Sequence, residues 1–339
     1  MSGPLAGIRV LDLTTVVSGP SATVMLADQG AEVIKIESDS GDQMRSSAKG
    51  KEGFGAGFIS CNRGKRSVVL DLKRSEGAQI LWQLIEGADV LAQNMRPGVM
   101  ERLGFAEPDV RARNPGIIYL SISGVGESGP YSHKRVYDPV IQSLSGLADI
   151  QSHTETLRPR MTRTLIADKT TGVFAAQAIT AALFHRERTG EGQHVRVSML
   201  DTMVSFLWPE GMSNYTIKSE GDITPVTAPH DMIFEASDGY LTVGTVSNKE
   251  WRCLCEAFDK PQWLTDSRFA TPALRNQHRQ ERLTLVAEVL KHKKRDEWIT
   301  ILEGADVPCA PVLRRREILS HPQVVNNELV QEFDHPAVG

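Results

Sequence analysis

The sequence has little of several things, and each shortage excludes a class of protein. It carries four cysteines in 339 residues, Cys61, Cys253, Cys255 and Cys309. They are too few and too scattered for a disulfide framework. Cys253 and Cys255, two apart on an expected helix, point in different directions and suit neither a bridge nor a metal. A reducing compartment, most simply the cytoplasm, is therefore expected. No segment has the length and apolarity of a bilayer span, so no membrane partner is expected. Met1 to Arg9 lacks the basic stretch and apolar core of a secretory signal. Neither sign of charge dominates: 38 Lys and Arg against 42 Asp and Glu leave a formal net charge of −4. Such a surface has no broad attraction for nucleic acid, and any anion site has to be a local basic cluster. The nine histidines are unclustered, no His-Glu-x-x-His motif is present, and no metal is expected. There is no Gly-x-Ser-x-Gly elbow and no internal repeat or low-complexity tract.

What remains is an ordinary globular mixture, 40% hydrophobic and 24% charged. The chain is longer than one compact core usually takes, so two domains are expected. Ile8 to Leu13, Val33 to Ile36, Val68 to Leu70, Val90 to Ala92, Ile117 to Ile122 and Val195 to Val197 read as strands. Helical patterns fall between them. Pro20 to Asp28 is one, with Ser18 as its expected cap. Glu76 to Glu86 is another, with Ile80, Leu81 and Leu84 on one face. Thr171 to Arg188 is the longest, stopped by Gly190. This rhythm predicts an α/β fold, a large domain with a parallel sheet covered by helices over residues 1–218. The texture changes from Ser219 to Val307. Asp238-Gly239 reads as a turn into a strand at Tyr240 to Val243. Helices are expected at Trp251 to Phe258, Arg279 to Leu290 and Trp298 to Glu303, giving a smaller α+β domain over 219–307.

Gly124-Val125-Gly126-Glu127-Ser128-Gly129 matches the dinucleotide fingerprint letter for letter and follows a strand. The fingerprint works only where a helix opens on the glycines, because the pyrophosphate sits on that helix's N-terminus. Pro130 to Lys134 do not read as a helix, so a glycine loop beside a site is the better reading and NAD is not expected. Lys169-Thr170 lacks the upstream glycines of a P-loop. Asp168 fits two roles. An aspartate just before a helix can bond free backbone N–H groups and meet the positive dipole end. The same placement suits a nucleophilic carboxylate surrounded by donors that stabilise an oxyanion. Arg63, Lys65, Arg66, Lys73, Arg96, Arg102, Lys134 and Arg135 recur near strand ends, where ligands collect in open α/β sheets. Together they could hold a phosphorylated ligand; singly, each reads as part of a solvated face.

The chain resembles the family III coenzyme A transferases, the CaiB/BaiF family, in an ordered series of motifs. They start with Leu5-Ala6-Gly7-Ile8-Arg9-Val10-Leu11-Asp12-Leu13 and Ser18-Gly19-Pro20. Gly30-Ala31-Glu32-Val33-Ile34-Lys35-Ile36-Glu37 follows, then Gly41-Asp42 with Arg45, and Asn62 with Lys65-Arg66-Ser67. Leu70-Asp71-Leu72-Lys73, Asn94-Met95-Arg96-Pro97-Gly98 and Arg102-Leu103-Gly104 continue the series. Gly129-Pro130, Thr189-Gly190-Glu191-Gly192-Gln193 and Asp201 complete it.

The resemblance implies a Rossmann-like large domain, a small domain, a return of 308–339 to the large domain, and a homodimer of two interlocked rings. It implies Asp168 as the nucleophile, with Tyr137 and Asp138 supporting it. It implies CoA contacts at Val17, Ser18, Leu72, Lys73, Asn94, Met95, Arg96, Arg102, Arg135, Val136 and Tyr137. The implied reaction moves CoA from an acyl-CoA donor to a carboxylic acid through an aspartyl intermediate, in a site that excludes water. The family also contains α-methylacyl-CoA racemases, whose histidine base falls where this chain has Tyr137. A tyrosine with an ordinary pKa near 10 is a poor base at neutral pH, and His133 does not align, so transfer is preferred to racemisation. A non-catalytic acyl-CoA binding protein is the alternative from another class; the retained Asp168 argues against it. Val17 replaces the glutamine of oxalate-specific members. No glycine run occurs between Thr224 and Glu250, which argues against oxalate chemistry. Ser38 replaces a basic residue of some members. Family chains usually extend several dozen residues past the region of His335-Pro336, so a shortened or truncated member is expected.

Overall fold

The computed structural model describes residues 3–46, 50–51, 53–153, 156–212, 215–216, 232–332, 334–335 and 338. The chain divides into two compact units, Met1–Pro229 with Asp334–Gly339, and His230–Phe333. Strands of the first unit are β1 (Arg9–Asp12), β2 (Glu32–Glu37), β3 (Gly50–Lys51), β4 (Phe54–Gly55), β5 (Arg66–Val69), β6 (Val90–Gln93), β7 (Ile118–Ser123) and β8 (Gln193–Ser198). β3 and β4 form a small hairpin. The other six form one sheet in the order β5-β2-β1-β6-β7-β8, every neighbouring pair parallel. That is the doubly wound order, and the direction of winding reverses between β1 and β6.

Adjacent residues on a strand face opposite ways, and the core follows that alternation. Val10, Val33, Val90, Ile118 and Leu120 pack on one face against Ala22, Leu26, Ala175 and Ile179. These last four come from helices Ser18–Asp28 and Ile166–Thr189. Leu11, Ile36, Leu91 and Tyr119 pack on the other face against Leu81 and Ile85 of helix Ser75–Glu86. Ile80, expected on the buried stripe of that helix, points outward instead. The longest helix ends as expected, on Gly190 in the left-handed region at φ 78°. It starts five residues earlier than expected, so Asp168 lies inside its first turn.

The second unit holds an antiparallel sheet of β9 (Ile233–Ala236), β10 (Gly239–Val243) and β11 (Cys309–Pro311), in the order β11-β10-β9. Helices Asn248–Ala257, Pro272–Gln277, Arg279–Leu290 and Arg295–Gly304 belong to the same unit, as do the short Arg315–Ile318 and Pro322–Asn326. Ser247 and Glu250 make a reciprocal capping box at the first of these. Trp251, Phe258, Trp263 and Trp298 dominate its core. The register Leu241↔Pro311 and Val243↔Cys309 places β11 in this sheet. The chain therefore returns to the first unit at Asp334, and not at 308. The expected boundary at 218–219, and the stretch from Thr224 to Asp231, lie outside the described residues. Among the described residues no helix is long and apolar enough to cross a membrane.

Candidate active site

Asp168 stands in the first turn of helix Ile166–Thr189 and is 8% exposed. Burial, followed by the charge of Asp138, raises its pKa to about 6; hydrogen bonds from the Ser18 hydroxyl and backbone N–H pull the other way. Ser18 is the first residue of helix Ser18–Asp28. The carboxylate thus faces the start of one helix from within the first turn of another, and both dipoles favour its ionised form. The expected capping role of Ser18 is not what the structure shows. No side chain caps that helix, and Ser18 lies inside it as its first residue, near Asp168.

Two helices meet closely to make this contact. A Cβ on Gly172 would lie 2.8 Å from the Ser21 Cβ and 3.0 Å from the Ser18 carbonyl oxygen. Only a glycine lets the helix backbones approach so far one turn beyond Asp168. Asp138 holds the start of the Asp168 helix. It is buried, and its Oδ2 accepts from the backbone N–H of Ala167 at 2.7 Å and of Asp168 at 3.1 Å. These are orphan donors of the helix start. Its Oδ1 accepts from Gln142 Nε2 at 2.5 Å.

The loop before Ser18 is held atom by atom. Asp12 Oδ1 accepts the Thr14 N–H at 2.9 Å, Asn94 Oδ1 the Thr15 N–H at 2.9 Å, and Asp42 Oδ1 the Val16 N–H at 3.2 Å. Asn94 Nδ2 donates back to the Thr15 carbonyl at 2.8 Å. Val16 sits at φ 71°, a strained conformation for a β-branched residue. Two buried ion pairs fix the anchors. Lys65 Nζ lies 2.9 Å from Asp12 Oδ2, and Lys35 Nζ lies 3.0 Å from Asp42 Oδ2 and 2.8 Å from the Thr14 carbonyl. Burial alone would raise the Asp12 pKa, but Lys65, Lys35 and the Thr14 hydroxyl hold it at about 2.

Asp168 forms part of the wall of a cleft of about 760 Å³ at the carboxyl ends of β1, β6 and β7. This is the switch point of the sheet, where ligands of such folds bind. Ser18, Asn94, Met95, Arg96, Arg102, Arg135, Val136 and Tyr137 line it, as the resemblance implies. Val17 is buried between lining neighbours, Leu72 packs into the core, and Lys73 is exposed; none of the three is a lining residue. The basic residues sort in the same way. Arg96, Arg102, Lys134 and Arg135 line the cleft. Lys65 is spent on Asp12, Arg63 pairs with Asp28, and Arg66 pairs with Glu32. Gln43, Ser132 and His133 also line the cleft, although no motif in the sequence marks them for binding. No helix opens on Gly124–Gly129.

Doubly wound topology, four cations at the switch point and a buried carboxylate between two helix starts define an α/β enzyme for a large anionic substrate. A model of CoA-transferase family III matches residues 5–339, and the chain belongs to that family. It is 34% identical to the succinyl-CoA:glutarate CoA-transferase of Mus musculus, over 99% of this chain and 78% of that protein. It is 35% identical to the succinyl-CoA:mesaconate CoA-transferase of Haloarcula hispanica, over 98% of this chain and 86% of that one. Among solved structures it is similar to a CAIB/BAIF family protein from Brucella suis. The TM-score there is 0.82 at 32% identity, over 96% of this chain and 88% of the other. The protein is a CoA-transferase that acts on acyl-CoA and carboxylic acids.

Proposed function

We propose that CoA passes from donor to acceptor by way of Asp168. The ionised carboxylate attacks the donor thioester carbonyl, the C–S bond breaks, and a mixed anhydride and CoA thiolate result. The thiolate attacks the Asp168 carboxyl carbon, giving an enzyme thioester and releasing the donor acid. The acceptor carboxylate attacks that thioester, and the returning thiolate takes the acceptor acyl group from the second anhydride. Asp168 leaves as a carboxylate, and the thioester bond is conserved throughout.

The observation that carries this reading is a carboxyl, 8% exposed, in the wall of the cleft, with Ser18 beside it. In the steps where Asp168 is itself attacked, an oxyanion grows on its own carboxyl oxygen. The Ser18 N–H and hydroxyl are the neighbouring donors that would stabilise it. A pKa raised to about 6 leaves the group mostly ionised at neutral pH and more basic than an ordinary aspartate. Arg96, Arg102, Lys134 and Arg135 supply the charge that CoA phosphates need. Tyr137 lines the cleft and is 61% exposed.

The names of the similar enzymes support succinyl-CoA as donor and a dicarboxylic acid as acceptor. Exposed Phe174 and Phe184 on helix Ile166–Thr189, and Phe206 and Trp208 on helix Met199–Gly211, support the homodimer. The test is chromatography of acyl-CoAs after incubation with succinyl-CoA and glutarate, mesaconate or oxalate. A new dicarboxyl-CoA formed at the expense of succinyl-CoA is expected. Deuterium exchange at Cα of a 2-methylacyl-CoA without any acceptor would contradict the proposal.

A further inference from the structure

The second unit contains a pocket of its own, of about 560 Å³, and three arginines line it. Arg275 is almost wholly buried. Its guanidinium donates to the Phe269 carbonyl at 2.9 Å and to Asn248 Oδ1 at 2.6 Å, and it stands 5.7 Å from the Trp251 ring centroid. All of these partners are neutral. Arg279 Nη2 meets the Met232 sulfur at 3.8 Å, while its buried Nε has no acceptor among the described residues. The Arg282 side chain has neither hydrogen bond nor ion pair among the described residues. Burial, then the charges of Arg279 and Arg275, depress its pKa.

Glu250 is the only carboxylate among the described lining residues, and it is already committed. Its Oε2 accepts the N–H groups of Val246 at 2.7 Å and Ser247 at 3.0 Å. Three guanidinium groups therefore share one pocket with one negative charge. Partly buried like charges repel, and an unmade hydrogen bond on a charged donor costs free energy. A fold gains nothing from such an arrangement unless an anion enters it. Guanidinium groups fit the oxygens of phosphate and carboxylate in a fork, two donors at a time.

We propose that this pocket is a second anion site, in which Arg275, Arg279 and Arg282 bind the phosphate or carboxylate groups of a small polyanion. Nothing in the transfer reaction requires it, and it stands apart from the arginines of the CoA cleft in its residues and its sheet.

The test is calorimetric titration of the full chain at low ionic strength with inorganic pyrophosphate and, separately, tricarballylate. The CoA cleft is disabled by Arg96→Gln with Arg135→Gln, so that binding there does not contribute. One site for either anion is expected to remain. It should weaken by at least about tenfold when Arg279→Gln and Arg282→Gln are added, which is the size of a lost charge-assisted hydrogen bond. Pyrophosphate binding would mark a phosphoryl ligand, tricarballylate binding a carboxylate ligand. Arg282→Gln should also melt no lower than the parent in anion-free buffer, because it removes a repulsion. Failure of both anions to bind, equal binding with and without Arg279 and Arg282, or a large loss of melting temperature in Arg282→Gln would overturn the proposal.

Discussion

The Asp138 carboxylate accepts the backbone N–H of Asp168, 3.1 Å away, and so holds the start of that helix while its charge helps to raise the Asp168 pKa. Removing the charge and removing the acceptor are separable. Asp138→Asn keeps an oxygen for the Ala167 and Asp168 N–H groups but loses the repulsion. The acidic limb of kcat/KM for acyl-CoA, expected near pH 6 in the wild type, should move to lower pH. Asp138→Ala also strands the two donors, and should lower stability by about 2 kcal/mol in urea denaturation. An unmoved limb in Asp138→Asn would show that the charge does not reach Asp168.

Asp168 itself should be a burden to the fold above its pKa. Its folded value, about 6, lies above the ordinary carboxylate value. Its contribution to stability is therefore full below the unfolded pKa and is lost as pH rises through about 6. The rise from the ordinary value corresponds to at most about 3 kcal/mol. Asp168→Asn should match the wild type in melting temperature near pH 4 and exceed it near pH 8. A variant less stable than the wild type near pH 8 would contradict this sign.

Gly172 sets the distance between the two helix starts. Gly172→Ala forces its Cβ against Ser21 and Ser18. Overpacking of this kind costs about 1–3 kcal/mol, and the shift it causes separates Ser18 from Asp168. We expect kcat to fall by an order of magnitude or more, since donors must be placed within a fraction of an ångström. CoA affinity by calorimetry should change little. Unchanged turnover would mean that the Ser18 contact is dispensable.

Lys65→Met leaves Asp12 buried without its counter-ion. Breaking such a pair costs about 3–5 kcal/mol. Thr14 loses its anchor and the strained Val16 turn its support. Urea midpoints of Lys65→Met and of the double variant Lys65→Met with Asp12→Leu test this. The double variant should recover much of the lost stability.

The parallel sheet is legible in the sequence because each strand is a short β-branched run and each crossover an apolar periodicity. β9 and β11 are not, since β9 is Ile-Phe-Glu-Ala with a single β-branched residue, and β11 has three residues and includes Pro311. Asp168 is legible as a residue at a helix start. Its role comes from the resemblance, because Ser18, its decisive neighbour, lies 150 residues away. Ser18 reads as a cap for the same reason. Lys65, Arg63 and Arg66 read as free to bind phosphate; Asp12, Asp28 and Glu32, which neutralise them, are remote in sequence. Arg275, Arg279 and Arg282 carry no motif in the sequence, and only the fold turns them toward one pocket.

The most direct test is intact-protein mass spectrometry after incubation with succinyl-CoA, with trapping by hydroxylamine or borohydride, on the wild type and Asp168→Ala. The account predicts a covalent adduct that peptide mapping places on Asp168 and that the variant lacks. CoA turnover by the wild type with no adduct, or an adduct that survives in Asp168→Ala, would contradict it.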